Sequence, residues 1–211
     1  MPARCVLFDC DGTLVDSELL GNVALAQELA LAGVAETGEA LTERFRGHRL
    51  ADILAALQSA HGVALAPGFV DRYRARAARM FETGVVPMPG VDAALARLGL
   101  PMCIVSNGPL AKIRQTLRIC GLAHHFGEHV FSAYEVGSWK PEPGLFLHAA
   151  RAMGVEPADC VVVDDSATGV EAARRAGMRA LWFAPHGVPG ELPPHATAFD
   201  HMDRLADLIG R

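Results

Sequence analysis

Basic excess is missing from this chain of 211 residues: 19 lysines and arginines face 24 aspartates and glutamates, for a net charge of −5. Domains that bind nucleic acid generally carry the opposite balance, so no nucleic-acid partner is expected. Aromatic residues are scarce, at 6% against 51% hydrophobic, so alanine, leucine and valine must fill most of the core. No apolar run approaches the length of a membrane span, and the start, MPARCVLFDC, lacks the layout of a secretory signal. The five cysteines (Cys5, Cys10, Cys103, Cys120 and Cys160) include no CxxC pair. That scatter argues against a disulfide frame or a zinc site and for reduced thiols. Internal repeats and low-complexity tracts are also lacking. A cytoplasmic protein without a membrane partner is the expectation, as a monomer or small homo-oligomer.

What the chain does have is a rhythm of short apolar runs: CVLF (5–8), MCIV (102–105), HVFS (129–132), CVVV (160–163) and ALWF (180–183). Their length suits buried strands. Between the later ones lie helical patterns with start and stop signals: PLAKIRQTLRICG, PGLFLHAARAMG and SATGVEAARRAG. Strand alternating with helix predicts an α/β fold, a Rossmann-like parallel sheet with ligands at the carboxyl ends of its strands. The rhythm breaks between the first and second strands. That interval holds helical blocks (ELLGNVALAQELALAG, EALTERFR, LADILAALQSAHG, GFVDRYRARAARMFET) and no convincing strand. It is too long for one crossover and too periodic for a loop. Residues 16–84 are therefore read as an inserted helical cap, and residues 1–15 and 85–211 as the catalytic core. The stretch at 184–195, rich in proline and glycine, reads as a loop leading to a terminal helix, HMDRLADLIGR.

The first strand runs straight into two carboxylates, Asp9 and Asp11, with Gly12 permitting a tight turn after them. Carboxylates that close repel, so one must hold a proton or a cation must sit nearby. Other strand ends bring complementary groups to the same edge. Ser106 and Asn107 follow MCIV, where Ser106 is also expected to cap the next helix. Lys140 follows HVFS, held extended by Pro141. Asp164 and Asp165 follow CVVV. Four aspartates against one lysine leave excess negative charge, and ligands that are all oxygen suit Mg²⁺. A site so built attracts phosphate. Asp9 could then act as nucleophile, and Asp11, its pKa raised by its neighbour, could pass a proton to the leaving oxygen.

DCDGT (9–13), SNG (106–108), Lys140 in WKPEP and VVVDDSATG (161–169) resemble the four motifs of the haloacid dehalogenase-like hydrolase superfamily, in the expected order. With the cap included, the resemblance covers nearly the whole chain. It implies Mg²⁺, a nucleophilic Asp9, an acid/base Asp11, and Ser106 and Lys140 holding the phosphoryl group, with Asn107 and Gly108 beside them. It also implies metal ligation by Asp9, Asp165, the main-chain carbonyl of Asp11, and Asp164, which ligates or supports. The helical cap resembles the class I type of phosphoglycolate phosphatases, beta-phosphoglucomutases and sugar-phosphate phosphatases. PMCIVSNGP, GSWKPEPGLFLHAARAMGV and VVVDDS further resemble the bacterial 6-phosphogluconate phosphatases. The implied partner is a small phosphorylated metabolite, either a sugar phosphate or a phosphosugar acid such as 6-phosphogluconate.

A mutase reading competes. Mutases carry a cap histidine at the place that falls here on Gly21, and a cap arginine nearest Leu50, beside Arg49; both departures favour water as the second acceptor. A haloacid dehalogenase is disfavoured because Asp11 is present, and a non-catalytic binder would need no acid/base pair. Cys10 reads as a small buried hydrophobe, and His124–His125 as a helix end. RFRGHR (44–49) breaks between two cap helices at Gly47, and Arg46, Gly47 and His48 are candidates for contact with an anionic substrate. Arg72, Arg76 and Arg79 share a helical face that is either solvated or turned to that substrate.

Overall fold

The structure is a computed structural model describing residues 3–210. Strand β1 (Cys5–Phe8) leads through β2 (Val15–Asp16) into four helices: α1 (Glu18–Leu31), α2 (Gly38–Phe45), α3 (Leu50–His61) and α4 (Phe69–Gly84). The chain returns through β3 (Val86–Pro87) and α5 (Val91–Ala96). Strands and helices then alternate as β4 (Met102–Ser106), α6 (Leu110–Ile119), β5 (Val130–Ser132), α7 (Ala133–Val136), α8 (Gly144–Ala152) and β6 (Cys160–Asp164). Last come α9 (Ala167–Arg175), β7 (Arg179–Phe183), β8 (Ala196–Phe199) and α10 (Leu205–Ile209).

Six strands form a parallel sheet in the order β5-β4-β1-β6-β7-β8. A parallel sheet is covered on both faces, which is why β1 and β6 are apolar runs buried at every position up to Asp164. The chain builds outward from β1 to β5 on one side, then crosses back and builds outward from β6 on the other. Neighbouring strands that leave in opposite directions open a crevice at their carboxyl ends, here between β1 and β6. The helices covering this sheet pack Leu145, Phe146, Ala149, Val170 and Ala173 against Cys5, Leu7, Val105, Val162 and Trp182.

The chain divides into two compact units, one running to Val15 and resuming at Pro87, the other Asp16–Val86. Its two crossings are β2 and β3, which pair into a small sheet of their own. The sequence showed no strand there, because two residues give no periodicity to read. The second unit has its own apolar core, with Leu25, Leu29, Leu41, Ile53, Leu57 and Phe69 buried together. Glu28 of α1 is buried within it, 2.6 Å from Arg72 Nε and 3.1 Å from Arg76 Nη2 on α4. Arg72 and Arg76 therefore neither line a merely solvated face nor stand ready for a substrate: they tie α4 to α1.

Two further expectations change. The segment after residue 184 does not lead directly to the terminal helix, because β8 intervenes and pairs with β7. The terminal helix begins as a 3₁₀ turn, Met202–Arg204, before α10.

Candidate active site

Three adjacent strands, β4, β1 and β6, end side by side, so Ser106, Asp9 and Asp164 arrive together at one edge. The Asp9 N–H still donates to the Val163 carbonyl at 2.9 Å, which fixes its backbone against β6. Lys140 enters from the segment after α7. Its Nζ lies 2.7 Å from Asp9 Oδ1 and 2.7 Å from Asp164 Oδ2, and the residue is only 3% exposed. Lys140 stands at a turn, and its peptide bond to Pro141 is cis. Asn107 fixes that turn: its Oδ1 accepts from Lys140 N at 2.9 Å, and its Nδ2 donates to the Lys140 carbonyl at 3.3 Å. A reciprocal pair of this kind holds the backbone in one register, so Asn107 aims the lysine.

Ser106 is buried and its Oγ accepts from the Gly108 N–H at 3.0 Å. It is the last residue of β4 and not the cap of α6, a place taken by Pro109. Ser132, at the end of the next strand, donates to the Gly108 carbonyl at 2.7 Å and so pins the same turn.

Asp164 is committed on both oxygens. Oδ2 receives Lys140, while Oδ1 accepts from the Ser166 N–H at 2.9 Å and the Ser166 hydroxyl at 2.6 Å. Ser166 in turn caps α9, accepting from Gly169 N at 3.0 Å. Gly169 packs so tightly on the Asp164 carboxylate that no Cβ fits there. Asp165 Oδ1 accepts from Thr13 Oγ1 at 3.1 Å, and its carbonyl accepts from Trp182 Nε1 at 2.9 Å. Gly12, with φ +77°, passes so close to the Asp165 carboxylate that a side chain is excluded there as well.

The expectation of one lysine against four aspartates does not hold. Lys112, on the first turn of α6, lies 2.8 Å from Asp11 Oδ1. Lys112, Thr13, Ser166 and Trp182 are thus site residues that the sequence analysis missed. The signal available was weak, since a lysine early in an amphipathic helix reads as a solvated residue.

Burial pushes the Asp9 carboxyl well above the usual carboxylate range; Lys140 pulls it down, and Asp164, Asp165 and Asp11 push it up again. Burial opposes the charge on Lys140, but Asp164 and Asp9 outweigh it and hold the ammonium above its ordinary pKa. Carboxylate oxygens of Asp9, Asp164 and Asp165 all lie within 4.8 Å of one another. Crowded acids that raise one another, with donors that are all oxygen, fit a hard divalent cation. Cys10 is fully buried, and burial, then Asp11 and Asp9, raise its thiol far above its usual range. An unreactive thiol in that setting is a packing residue.

Arg46, Gly47 and His48 are not among these groups. They lie in the other unit, on the segment joining α2 to α3. Gly47 has φ +75°, which turns the chain, and His48 Nδ1 is 3.2 Å from the Arg46 carbonyl. Arg46 Nη1 is 2.6 Å from Glu18 Oε2, at the start of α1.

Known proteins resemble this chain. The profile of the haloacid dehalogenase-like hydrolases matches residues 3–177. The 6-phosphogluconate phosphatase of Escherichia coli K12 is 38% identical over 97% of this chain and 94% of its own. The fructose-1-phosphate phosphatase of the same organism is 33% identical over 83% of this chain and 94% of its own. The crystal structure of a hydrolase of the same class from Deinococcus radiodurans, with bound phosphate and sodium, superposes with a TM-score of 0.76. It is 31% identical and covers 98% of this chain and 95% of its own.

Proposed function

The chain belongs to the haloacid dehalogenase-like hydrolase family and is a phosphatase, and from that premise we propose that it hydrolyses a phosphosugar acid such as 6-phosphogluconate with Mg²⁺. One observation carries the chemistry: a buried ammonium, Lys140, bridges Asp9 and Asp164 at 2.7 Å each. A lysine desolvated between two carboxylates is spaced to accept a phosphoryl oxygen as a further partner.

In this mechanism an Asp9 carboxylate oxygen attacks phosphorus in line. The Asp9–phosphorus bond forms, the ester oxygen leaves, and Asp11 supplies its proton. Ser106 and the N–H groups around Gly108 hold the phosphoryl oxygens, and Lys140 neutralises them. Water then attacks phosphorus, its proton passes to Asp11, and the Asp9–phosphorus bond breaks to release inorganic phosphate. Mg²⁺, held by Asp9, Asp165 and the Asp11 carbonyl, supplies charge neutralisation and alignment of the phosphoryl group when bound. Asp164 acts mainly by holding Lys140, because both its oxygens already have protein donors. Lys112, 2.8 Å from Asp11 Oδ1, holds the Asp11 carboxyl in place. Water as second acceptor agrees with Gly21, which stands where a mutase-like chain is expected to carry a histidine.

The substrate class rests on the relatives' names and on RFRGHR. Arg46, Gly47 and His48 are proposed to take the anionic end of the substrate, with Arg46 exchanging Glu18 for a carboxylate. No described helix is long and apolar enough to cross a bilayer; the cytoplasm is the proposed location.

Initial rates of phosphate release from 6-phosphogluconate, fructose 1-phosphate and p-nitrophenyl phosphate test this, with Mg²⁺ and with EDTA. Activity should vanish in EDTA and return with Mg²⁺. Arg46→Ala should raise KM for 6-phosphogluconate far more than for p-nitrophenyl phosphate, which has no second anionic group. Full turnover in EDTA would refute the metal, and equal KM changes would remove Arg46 from the substrate site.

A further inference from the structure

A second cluster of metal-ligating side chains lies in the catalytic unit and takes no part in the chemistry above. Asp92, in the first turn of α5, meets His124 and His125 of the 3₁₀ turn Ala123–His125. One ligand atom from each lies within 4.8 Å of the other two. Donors about 2.0–2.2 Å from a zinc ion stand at most about 4.4 Å apart, so closing on an ion requires only small side-chain rotations.

Three features favour a metal over a plain surface ion pair. First, a 3₁₀ turn has three residues per turn, so consecutive side chains ordinarily diverge; here the two ring centroids lie 3.9 Å apart, their planes tilted by 37°. Second, His124 Nδ1 is 2.8 Å from the Gly121 carbonyl. A carbonyl can only accept, so Nδ1 carries a proton and Nε2 is the nitrogen left to ligate. A ring N–H donated to a backbone carbonyl is the usual support of a ligating histidine. Third, His125 Nε2 lies 2.7 Å from Asp92 Oδ1, so a metal would take the place of the proton that this nitrogen now donates to the carboxylate. Asp92 and His124 are exposed, which leaves a route in from solvent. Two imidazoles and one carboxylate suit a borderline transition metal and not Mg²⁺, which prefers oxygen alone.

We propose that Asp92, His124 and His125 form a divalent transition-metal site, separate from the carboxylate cluster of the active site, that takes Zn²⁺ or Ni²⁺ with water completing the coordination. Binding there ties α5 to the turn after α6. The proposal does not depend on the identity of the phosphatase substrate.

Calorimetric titration of the untagged protein with ZnCl₂, in saturating Mg²⁺ to fill the carboxylate site, tests it. Wild type should bind one Zn²⁺ per chain, and Asp9→Asn should keep that event. His124→Gln and Asp92→Asn, both at exposed positions that should not disturb folding, should weaken it by at least about tenfold. Zn²⁺ should also raise the wild-type melting temperature and leave that of His124→Gln unmoved, because only a ligand bound to the folded state stabilises it. Equal affinity in wild type and His124→Gln, or no Zn²⁺ binding by wild type, would overturn the site.

Discussion

Lys140 and Lys112 divide the work of charge between them. Lys140 is buried and shared by Asp9 and Asp164; Lys112 is partly exposed and pairs with Asp11. Each ammonium thus governs one carboxylate of the reacting pair. If Lys112 orients Asp11, Lys112→Ala should lower kcat by roughly 10–100-fold, part of the span that general acid–base groups contribute. Lys112→Arg should recover much of the loss, and KM for p-nitrophenyl phosphate should hardly move. Steady-state kinetics on the three proteins check this, and an Ala variant with unchanged kcat would leave Lys112 a surface residue. Asn107 shows the same economy, because its amide grips both the N–H and the carbonyl of Lys140. Asp9, Asp11 and Lys140 stood out in the sequence as charged residues following apolar runs. Thr13 and Trp182 did not, because their roles are hydrogen bonds to groups far away in sequence, as from Trp182 Nε1 to the Asp165 carbonyl, and Ser166 read only as a helix start.

Helix α9 approaches the site so closely that Gly169 has no room for a Cβ beside Asp164. Gly169→Ala must displace either the helix or the carboxylate that holds Lys140. Overpacking of this kind costs about 1–3 kcal/mol, and kcat should fall together with the melting temperature. A Gly169→Ala protein with both unchanged would show that the contact relaxes freely. In the other unit the same close fit is electrostatic. Arg72, followed by Arg76, holds the Glu28 carboxyl below its ordinary value of 4.5, although partial burial opposes this. A depressed carboxylate pKa stabilises the fold above 4.5 and loses that contribution as pH falls through the lower folded value. Glu28→Gln should therefore be destabilised at pH 7, by about 1–3 kcal/mol for hydrogen bonds to charged groups. The gap from wild type should narrow as the pH drops below 4.5. Denaturant titrations at several pH values measure it, and a gap independent of pH would contradict the ion-pair account. Strands β1 and β6 were readable because doubly covered parallel strands are continuous apolar runs. Strand β8 was not, because ATAF at the sheet edge is short and only partly buried, with Thr197 exposed.

At the scale of the whole molecule, two units with separate apolar cores are joined by two strands of two residues each, β2 and β3. The groups gathered at the candidate site belong to the unit containing the large sheet, whose carboxyl edge brings them together from β1, β4, β6 and the segment after α7. The presence of a helical insertion was plain from sequence, since its four periodic blocks correspond to α1–α4. The function of its arginines was not, because periodicity cannot tell an arginine paired within its own unit, such as Arg72, from one available to a ligand. The central claim is that this edge transfers a phosphoryl group to Asp9. Phosphate release from 6-phosphogluconate in saturating Mg²⁺, measured for wild type and Asp9→Asn with circular dichroism on both, tests it most directly. Wild type should turn over, and Asp9→Asn should stay folded with kcat reduced on the order of 10⁴-fold or more, as when other covalent enzymes lose their nucleophile. A folded Asp9→Asn enzyme that releases phosphate at close to the wild-type rate would contradict the account.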